Sequence, residues 1–237
     1  MNARRLISAI ALAGWTWIGA QAAQVTLVGD RFDVTYDDSL IGLFGTPALV
    51  GDVIYWFPSG SPGFSAQVSG ADNLEVTNST FALLVTAKPM WQLTGAGLSE
   101  GGDYYYFGSG SAGVAASGQL RMTSLDPAAP TVSGSITAAA PFVSNSLLDF
   151  ATRDWSASAS VTLAGPSNQA NGSIENILSA WAAGGAPLQS AFIEKKEVAL
   201  SIGVSLVPEV QPVAMFLAGL GVIGWLARRR IGARDHA

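Results

Sequence analysis

Two carboxylates beside a run of aromatic side chains are the residues of this sequence best placed to do chemistry. Glu100 and Asp103 flank a double glycine, and the aromatic run 104–107 follows directly. Paired carboxylates are what glycoside hydrolysis needs, and aromatic rings stack on sugar rings. In a strand, however, Tyr104 and Tyr106 share one face while Tyr105 and Phe107 share the other, so at least one pair is expected in the core. A structural role is therefore favoured, with carbohydrate binding ahead of hydrolysis as alternatives.

A second aromatic group, Tyr55, Trp56 and Phe57, precedes a loop rich in proline and glycine. If Tyr55 and Phe57 face inward on a strand, Trp56 is the exposed member. Exposed aromatic residues can bind a sugar, but they also protect the edge of a sheet. A core or edge-protecting role is the favoured interpretation of this group.

Four aspartates cluster early in the chain, at Asp30, Asp33, Asp37 and Asp38. Several carboxylate oxygens close together can bind Ca²⁺. The DxDxDG type of spacing is missing, and the alternation of apolar residues around Asp33 puts that side chain on an exposed face. We therefore interpret the cluster as solvated charges at turns and edges and assign no metal site.

Composition excludes several classes of function. The chain has no cysteine, and its only histidine is His236, one residue from the end. A Ser-His-Asp triad, a thiol nucleophile and a His- or Cys-ligated zinc site are thus excluded from the body of the chain, and we predict neither a cofactor nor an enzymatic activity. Between residues 23 and 207, fifteen acidic side chains face six basic ones, a net charge of −9. An acidic body argues against a nucleic-acid partner.

The N-terminus has the three parts of a secretory signal. Arg4 and Arg5 are followed by the uncharged apolar stretch 6–20, and Ala20 and Ala22 supply the small residues that a signal peptidase reads. We predict a signal peptide over residues 1–22, cleaved after Ala22, and hence export of the mature chain.

The C-terminus predicts a membrane anchor. Residues 213–227 carry no charge and as a helix would span about 22 Å, or about 27 Å from Val210, against a hydrocarbon core of about 30 Å. Arg228, Arg229 and Arg230 follow at once. Each arginine costs about 2.5–3.5 kcal/mol at the bilayer centre, so this cluster stays cytoplasmic and the body lies outside.

This C-terminal arrangement resembles the PEP-CTERM sorting signal of Gram-negative bacteria. Val207, Pro208 and Glu209 match the start of its short motif, 213–227 its helix and the three arginines its basic cluster, while Val210 stands where the second proline is expected. The resemblance implies recognition by an exosortase, a membrane-embedded cysteine protease that cuts near the motif. It also implies association with extracellular matrix.

The body, residues 23–206, has the alternation of half-buried strands. Apolar residues occupy every second position in 32–36, 155–163 and 198–206, and turn residues separate such segments. This pattern predicts a mainly β fold, an antiparallel β-sandwich. One short helix is also predicted, because Ile174, Ile177, Leu178 and Trp181 follow helical spacing.

These features predict three segments: the signal peptide 1–22, the ectodomain 23–206 and the sorting signal 207–237, with its motif at 207–212 and a basic tail at 228–237. The chain is predicted to be an exported surface or matrix protein with a structural or adhesive role in exopolysaccharide or biofilm. The alternatives are a carbohydrate-binding module and, less favoured, a secreted glycoside hydrolase. The expected partners are signal peptidase, exosortase, the membrane and extracellular polysaccharide.

Overall fold

A computed structural model describes residues 23–58, 63–108, 111–145, 150–184, 188–207, 216 and 219–223. Strands make up most of these residues, and two short 3-10 turns, Asp38–Leu40 and Gly42–Phe44, lie between the second and third strands. The strands are β1 (Gln24–Val28), β2 (Phe32–Asp37), β3 (Ala48–Val50), β4 (Val53–Trp56), β5 (Phe64–Ser69), β6 (Asn73–Ala87), β7 (Trp91–Gly108), β8 (Ser111–Asp126), β9 (Val132–Ala138), β10 (Arg153–Ser167), β11 (Gln169–Ala183) and β12 (Gln189–Leu206).

All twelve strands belong to one antiparallel sheet. Its order is β1-β2-β6-β11-β8-β9-β10-β7-β12-β4-β3, and β5 pairs with the first part of β12 beside β4. Strand β9 joins the two halves, because residues 132–136 pair with β8 while Thr137 and Ala138 pair with β10. The prediction of a mainly β, antiparallel fold is confirmed. The predicted sandwich of two separate sheets is not found, because the twelve strands form one nearly closed sheet whose two halves face each other.

The core lies between these halves and is filled by alternate residues of each strand. In β2, Phe32, Val34 and Tyr36 are buried, and the strands predicted at 155–163 and 198–206 also point most of their large apolar residues inward, although Leu206 at the end of β12 is exposed. Burial of such side chains is the main favourable term in folding, at about 25 cal/mol per Å² of apolar surface. The alternation recognised in the sequence is thus the alternation between core and solvent.

The helix predicted over residues 174–181 is wrong, since this segment is the middle of β11. Ile174 and Leu178 point into the core, whereas Ile177 and Trp181 are half-buried on the outer face. The Trp181 indole ring is partly buried there because it packs over Gly113, its partner on β8. A Cβ added to Gly113 would lie only 2.3 Å from this ring. Because apolar residues lie on both faces of this strand, their positions match the i, i+3, i+4, i+7 spacing of an amphipathic helix.

The two ends of the chain lie largely outside the described residues. Val207 follows β12, and its N–H donates to the Met90 carbonyl at 2.9 Å. Of the predicted helix 213–227, only Phe216 and residues 219–223 are described, and they are helical and exposed. Over the part of the chain that the structure describes, no helix is both long and apolar enough to cross a membrane. The predicted signal peptide and sorting residues outside the described ranges are Ala20, Ala22, Pro208, Glu209, Arg228, Arg229 and Arg230.

Candidate functional site

Three polar side chains meet inside the core, where β7 and β12 in one half of the sheet face β11 in the other. Glu100, Asn176 and Lys195 are 2%, 0% and 1% exposed. Lys195 Nζ lies 2.6 Å from Glu100 Oε2, and Asn176 Nδ2 donates a 2.6 Å hydrogen bond to the same oxygen. We call these three residues the buried triad.

Strand alternation directs each of these side chains inward. Glu100 belongs to the inward row of β7 that also contains Leu98 and Tyr104. Asn176 lies between the buried Ile174 and Leu178 on β11. The interior location of the triad therefore follows from its place in the strand pattern, although each residue is of a type that is seldom fully buried.

A glycine opens the space that Lys195 occupies. Gly102 on β7 lies opposite Lys195 on one side and Trp155 on the other. A Cβ added to Gly102 would lie only 1.9 Å from the Glu194 carbonyl oxygen and 2.9 Å from Lys195 Cα. The missing side chain thus allows close approach of the neighbouring strands at the triad.

Two aromatic rings cover the lysine amine. Lys195 Nζ lies 5.4 Å from the ring centroid of Phe64 and 5.6 Å from that of Trp155. Both rings are buried, and the Trp155 indole is held in place because its Nε1 donates to the Glu194 carbonyl at 2.9 Å. The amine therefore sits in an apolar compartment that is closed to water.

Burial shifts the proton affinities of the ion pair toward the neutral forms. Desolvation lowers the pKa of Lys195 to about 8, although the charge of Glu100 opposes that shift. Desolvation also raises the pKa of Glu100, against the opposing effect of Lys195. A proton can thus move from the amine to the carboxylate at low cost, because both groups are destabilised in their charged forms.

Two oxygens of the triad lack partners. Among the described residues, Glu100 Oε1 and Asn176 Oδ1 are buried and accept no hydrogen bond. Each unsatisfied buried acceptor costs about 1–3 kcal/mol. A lysine amine, a carboxyl and a carboxamide in one dry compartment form a set suited to proton transfer and nucleophilic attack.

The carboxylate pair Glu100 and Asp103 does not converge on one cleft. Glu100 points into the core, whereas Asp103 lies on the outer face, where Lys196 contacts it. Lys196 is the extra residue of a β-bulge, because Lys195 lies opposite Gly102 and Glu197 lies opposite Gly101. The geometry that glycoside hydrolysis requires of two carboxylates is therefore not met by this pair.

The aromatic run 104–107 divides between the two faces, as the alternation predicts. Tyr104 and Tyr106 face inward. Tyr105 and Phe107 lie on the outer face, where Phe192 stacks on Tyr105 with centroids 5.4 Å apart and Phe150 packs edge-on against Phe107 at 4.9 Å. We call the four outer residues Tyr105, Phe107, Phe150 and Phe192 the aromatic strip.

The expected orientation of residues 55–57 is wrong. Trp56 is fully buried, and its ring contacts Phe44 and Phe81 in the core. Tyr55 and Phe57 instead stack on each other on the outer side, and Phe57 is 65% exposed. The phase of a four-residue strand is poorly fixed by sequence when all of its residues are apolar or aromatic.

The four early aspartates do not gather around a common point. Asp33 accepts from the Gly29 N–H and pairs with Lys88, while Asp37 accepts from Ser39 at the other end of β2. Four residues along a strand separate Asp33 from Asp37 by about 13 Å. Within the described ranges, no three His, Cys, Asp or Glu side chains could together hold a metal ion.

Asn176 and Lys195 were missed as site residues at the level of sequence. Asn176 lay within the segment interpreted as a helix, and Lys195 lay in the charged run 194–197, which is typical of a solvated surface. A signal was nevertheless present: Ala191, Ile193 and Lys195 continue one alternating row, which places a lysine where an apolar residue is expected.

No protein-family model matches the chain, and neither does any curated protein or solved structure.

Proposed function

We propose that the protein is an exported structural or adhesive component of the cell surface or extracellular matrix. Sorting proceeds through the PEP-CTERM-like signal at residues 207–237. The observation that carries this proposal is the order of segments in the sequence: a basic, apolar and Ala-x-Ala start, and an apolar stretch followed by three arginines at the other end.

The body is suited to a structural role. Four of its strands have fifteen or sixteen residues and two have eighteen, well above the usual five to six or so. Glu100 and Lys195 are sealed in the core rather than presented to a ligand. An extended sheet with its reactive groups enclosed supports a scaffold that displays its outer faces.

The sorting proposal predicts that Pro208→Ala combined with Glu209→Ala blocks C-terminal processing. The motif is lost but the apolar helix and its arginines remain, so the variant is expected to accumulate with an uncleaved C-terminus in the membrane fraction. Intact-mass measurement of secreted and membrane fractions reads both termini directly. Ser205→Ala, an uncharged change just before the motif, is the control and should be processed like the natural chain. An unchanged mature C-terminus in the double variant would show that the motif is not recognised.

Carbohydrate binding is the second candidate, and the aromatic strip favours it. Phe150 is 65% exposed, and Tyr105, Phe107 and Phe192 lie half-buried beside it on the outer face of β7 and β12. Exposed rings in a row offer apolar faces on which sugar rings stack. The carboxylates of Asp103 and Glu194, both in contact with Lys196, lie nearby. They can accept hydrogen bonds from the hydroxyl groups of a sugar.

This candidate predicts that Tyr105→Ala combined with Phe192→Ala weakens polysaccharide binding at least about tenfold, or about 1.4 kcal/mol. The probe is polysaccharide purified from the matrix of the producing cells, and binding is measured by co-sedimentation. Leu74→Ala is the control, because Leu74 is also exposed (69%) but lies in the other half of the sheet. Equal binding by the double variant and this control would show that the aromatic strip does not bind the polysaccharide.

A further inference from the structure

The buried triad contains the three groups that amide exchange between side chains requires. Lys195 supplies an amine, Asn176 a carboxamide, and Glu100 a carboxyl in contact with both. We propose that this protein forms an intramolecular isopeptide bond between Lys195 Nζ and Asn176 Cγ, with Glu100 as the proton-transfer group. The bond is independent of how the chain is sorted or what its outer faces bind.

Position is the first support for the bond. Lys195 Nζ and Asn176 Nδ2 each lie 2.6 Å from the same atom, Glu100 Oε2, so the amine and the carboxamide are near neighbours. All three side chains are held by strands of the core and are at most 2% exposed. Reacting groups fixed in this way gain a large advantage over groups that must meet by diffusion.

The compartment also activates the nucleophile. An amine attacks only in its neutral form, and desolvation by the surrounding apolar groups lowers the pKa of Lys195 to about 8. The Phe64 and Trp155 rings exclude water from Nζ. Exclusion of water also protects the carboxamide from hydrolysis, so the lysine is the nucleophile at hand.

Glu100 is placed to move the protons. Its carboxylate first accepts a proton from Lys195 Nζ, and the neutral amine then attacks Asn176 Cγ. The carboxyl next returns the proton to Nδ2 as the Cγ–Nδ2 bond breaks and ammonia leaves. One C–N bond forms and one breaks, and the step needs no oxidant, reductant or water. Glu100 then accepts the second proton that Nζ loses on becoming an amide nitrogen, and the departing ammonia takes up this proton and leaves as ammonium, so Glu100 ends as a carboxylate.

The product suits the compartment better than the reactants do. A neutral secondary amide replaces a buried ammonium, and its N–H can donate to the Glu100 carboxyl. The bond would tie β12 in one half of the sheet directly to β11 in the other. A covalent bond between the two halves of the sheet would prevent them from separating.

Peptide mapping of the purified full chain tests the proposal. Cleavage after glutamate separates the partners, because Glu175 precedes Asn176 and Glu194 precedes Lys195. The expected product is a branched peptide in which 176–194 is joined to 195–197, with two amino termini and a mass lower by one ammonia, about 17 Da, than that of the two peptides together. Fragmentation should place the link at Lys195 Nζ.

Three variants and two controls define the mechanism. Lys195→Arg and Asn176→Ala should give no branched peptide, because each lacks a reacting group, and Glu100→Gln should give less than about a tenth of the natural amount, because proton transfer is lost. Lys196→Arg and Asn171→Ala should retain the link, since they change the neighbouring lysine and an asparagine outside the triad. Recovery of the natural chain with separate, unmodified peptides 176–194 and 195–197 would overturn the proposal even if no variant folds. A loss of ammonia from the intact chain that maps to Asn171-Gly172 or to the N-terminus, with peptides 176–194 and 195–197 unlinked, would overturn it equally.

Discussion

Glu100→Leu is expected to lower the free energy of unfolding by at least about 3 kcal/mol and up to about 5 kcal/mol. The variant leaves the Lys195 amine in the core without its carboxylate, and Asn176 Nδ2 without its acceptor. A lone buried charge must either remain uncompensated or lose its proton, and both cost free energy. If the isopeptide bond has formed in the natural chain, the variant lacks that as well, so the loss becomes larger. Urea denaturation followed by tryptophan fluorescence measures the change.

The double variant Glu100→Leu with Lys195→Met separates charge burial from loss of packing. Both replacements fill the compartment with apolar groups of similar size, and replacing a buried ion pair in this way is often neutral or stabilising. The double variant is therefore expected to be more stable than Glu100→Leu alone. If instead it is the less stable of the two, the cost of losing Glu100 does not come from the uncompensated lysine.

The strand pattern of the sequence predicts the class of fold but not its closure. Segments 32–36, 155–163 and 198–206 alternate cleanly because their inner residues are apolar and their outer residues are mostly polar. Strand β11 does not alternate cleanly, because its inward-facing row includes the polar Asn176 and its outward-facing row includes the apolar Trp181. Both departures depend on partners far away in sequence, Glu100 for one and Gly113 for the other. Such long-range pairings cannot be deduced from local periodicity.

Long-range strand pairing also separates the part of the candidate site that could be anticipated from sequence from the part that could not. Glu100 was recognised as chemically capable, but the sequence linked it to Asp103, its neighbour along the chain. Lys195 became its partner only through the pairing of β7 with β12, and the bulge at Lys196 sets which of two adjacent lysines points inward. A one-residue shift of register would exchange them, so the triad is fixed by strand pairing rather than by local sequence.

Phe44→Ala is expected to destabilise the fold by about 3–5 kcal/mol, the usual range for loss of a buried phenylalanine. Phe44 belongs to a 3-10 turn in the connection between β2 and β3, yet it is fully buried. Its ring makes edge contacts with Trp56, Phe64 and Phe81, at centroid distances of 6.0, 5.7 and 5.9 Å. Two of these rings belong to one half of the sheet and Phe81 to the other, so a loop residue packs between both layers.

The conformation of the connection holds this ring in place. Gly42 and Gly45 have φ of +56° and +74°, and the Leu43 N–H donates to Ser79 Oγ at 3.0 Å. Because the turn is anchored, the surrounding core cannot collapse fully into the space that alanine would leave. Leu40→Ala, at a 64% exposed position in the same connection, is the control and should change stability by no more than about 0.5 kcal/mol. Equal urea midpoints for Phe44→Ala and Leu40→Ala would mean that the connection does not contribute to the core, and that the two halves of the sheet are held together without it.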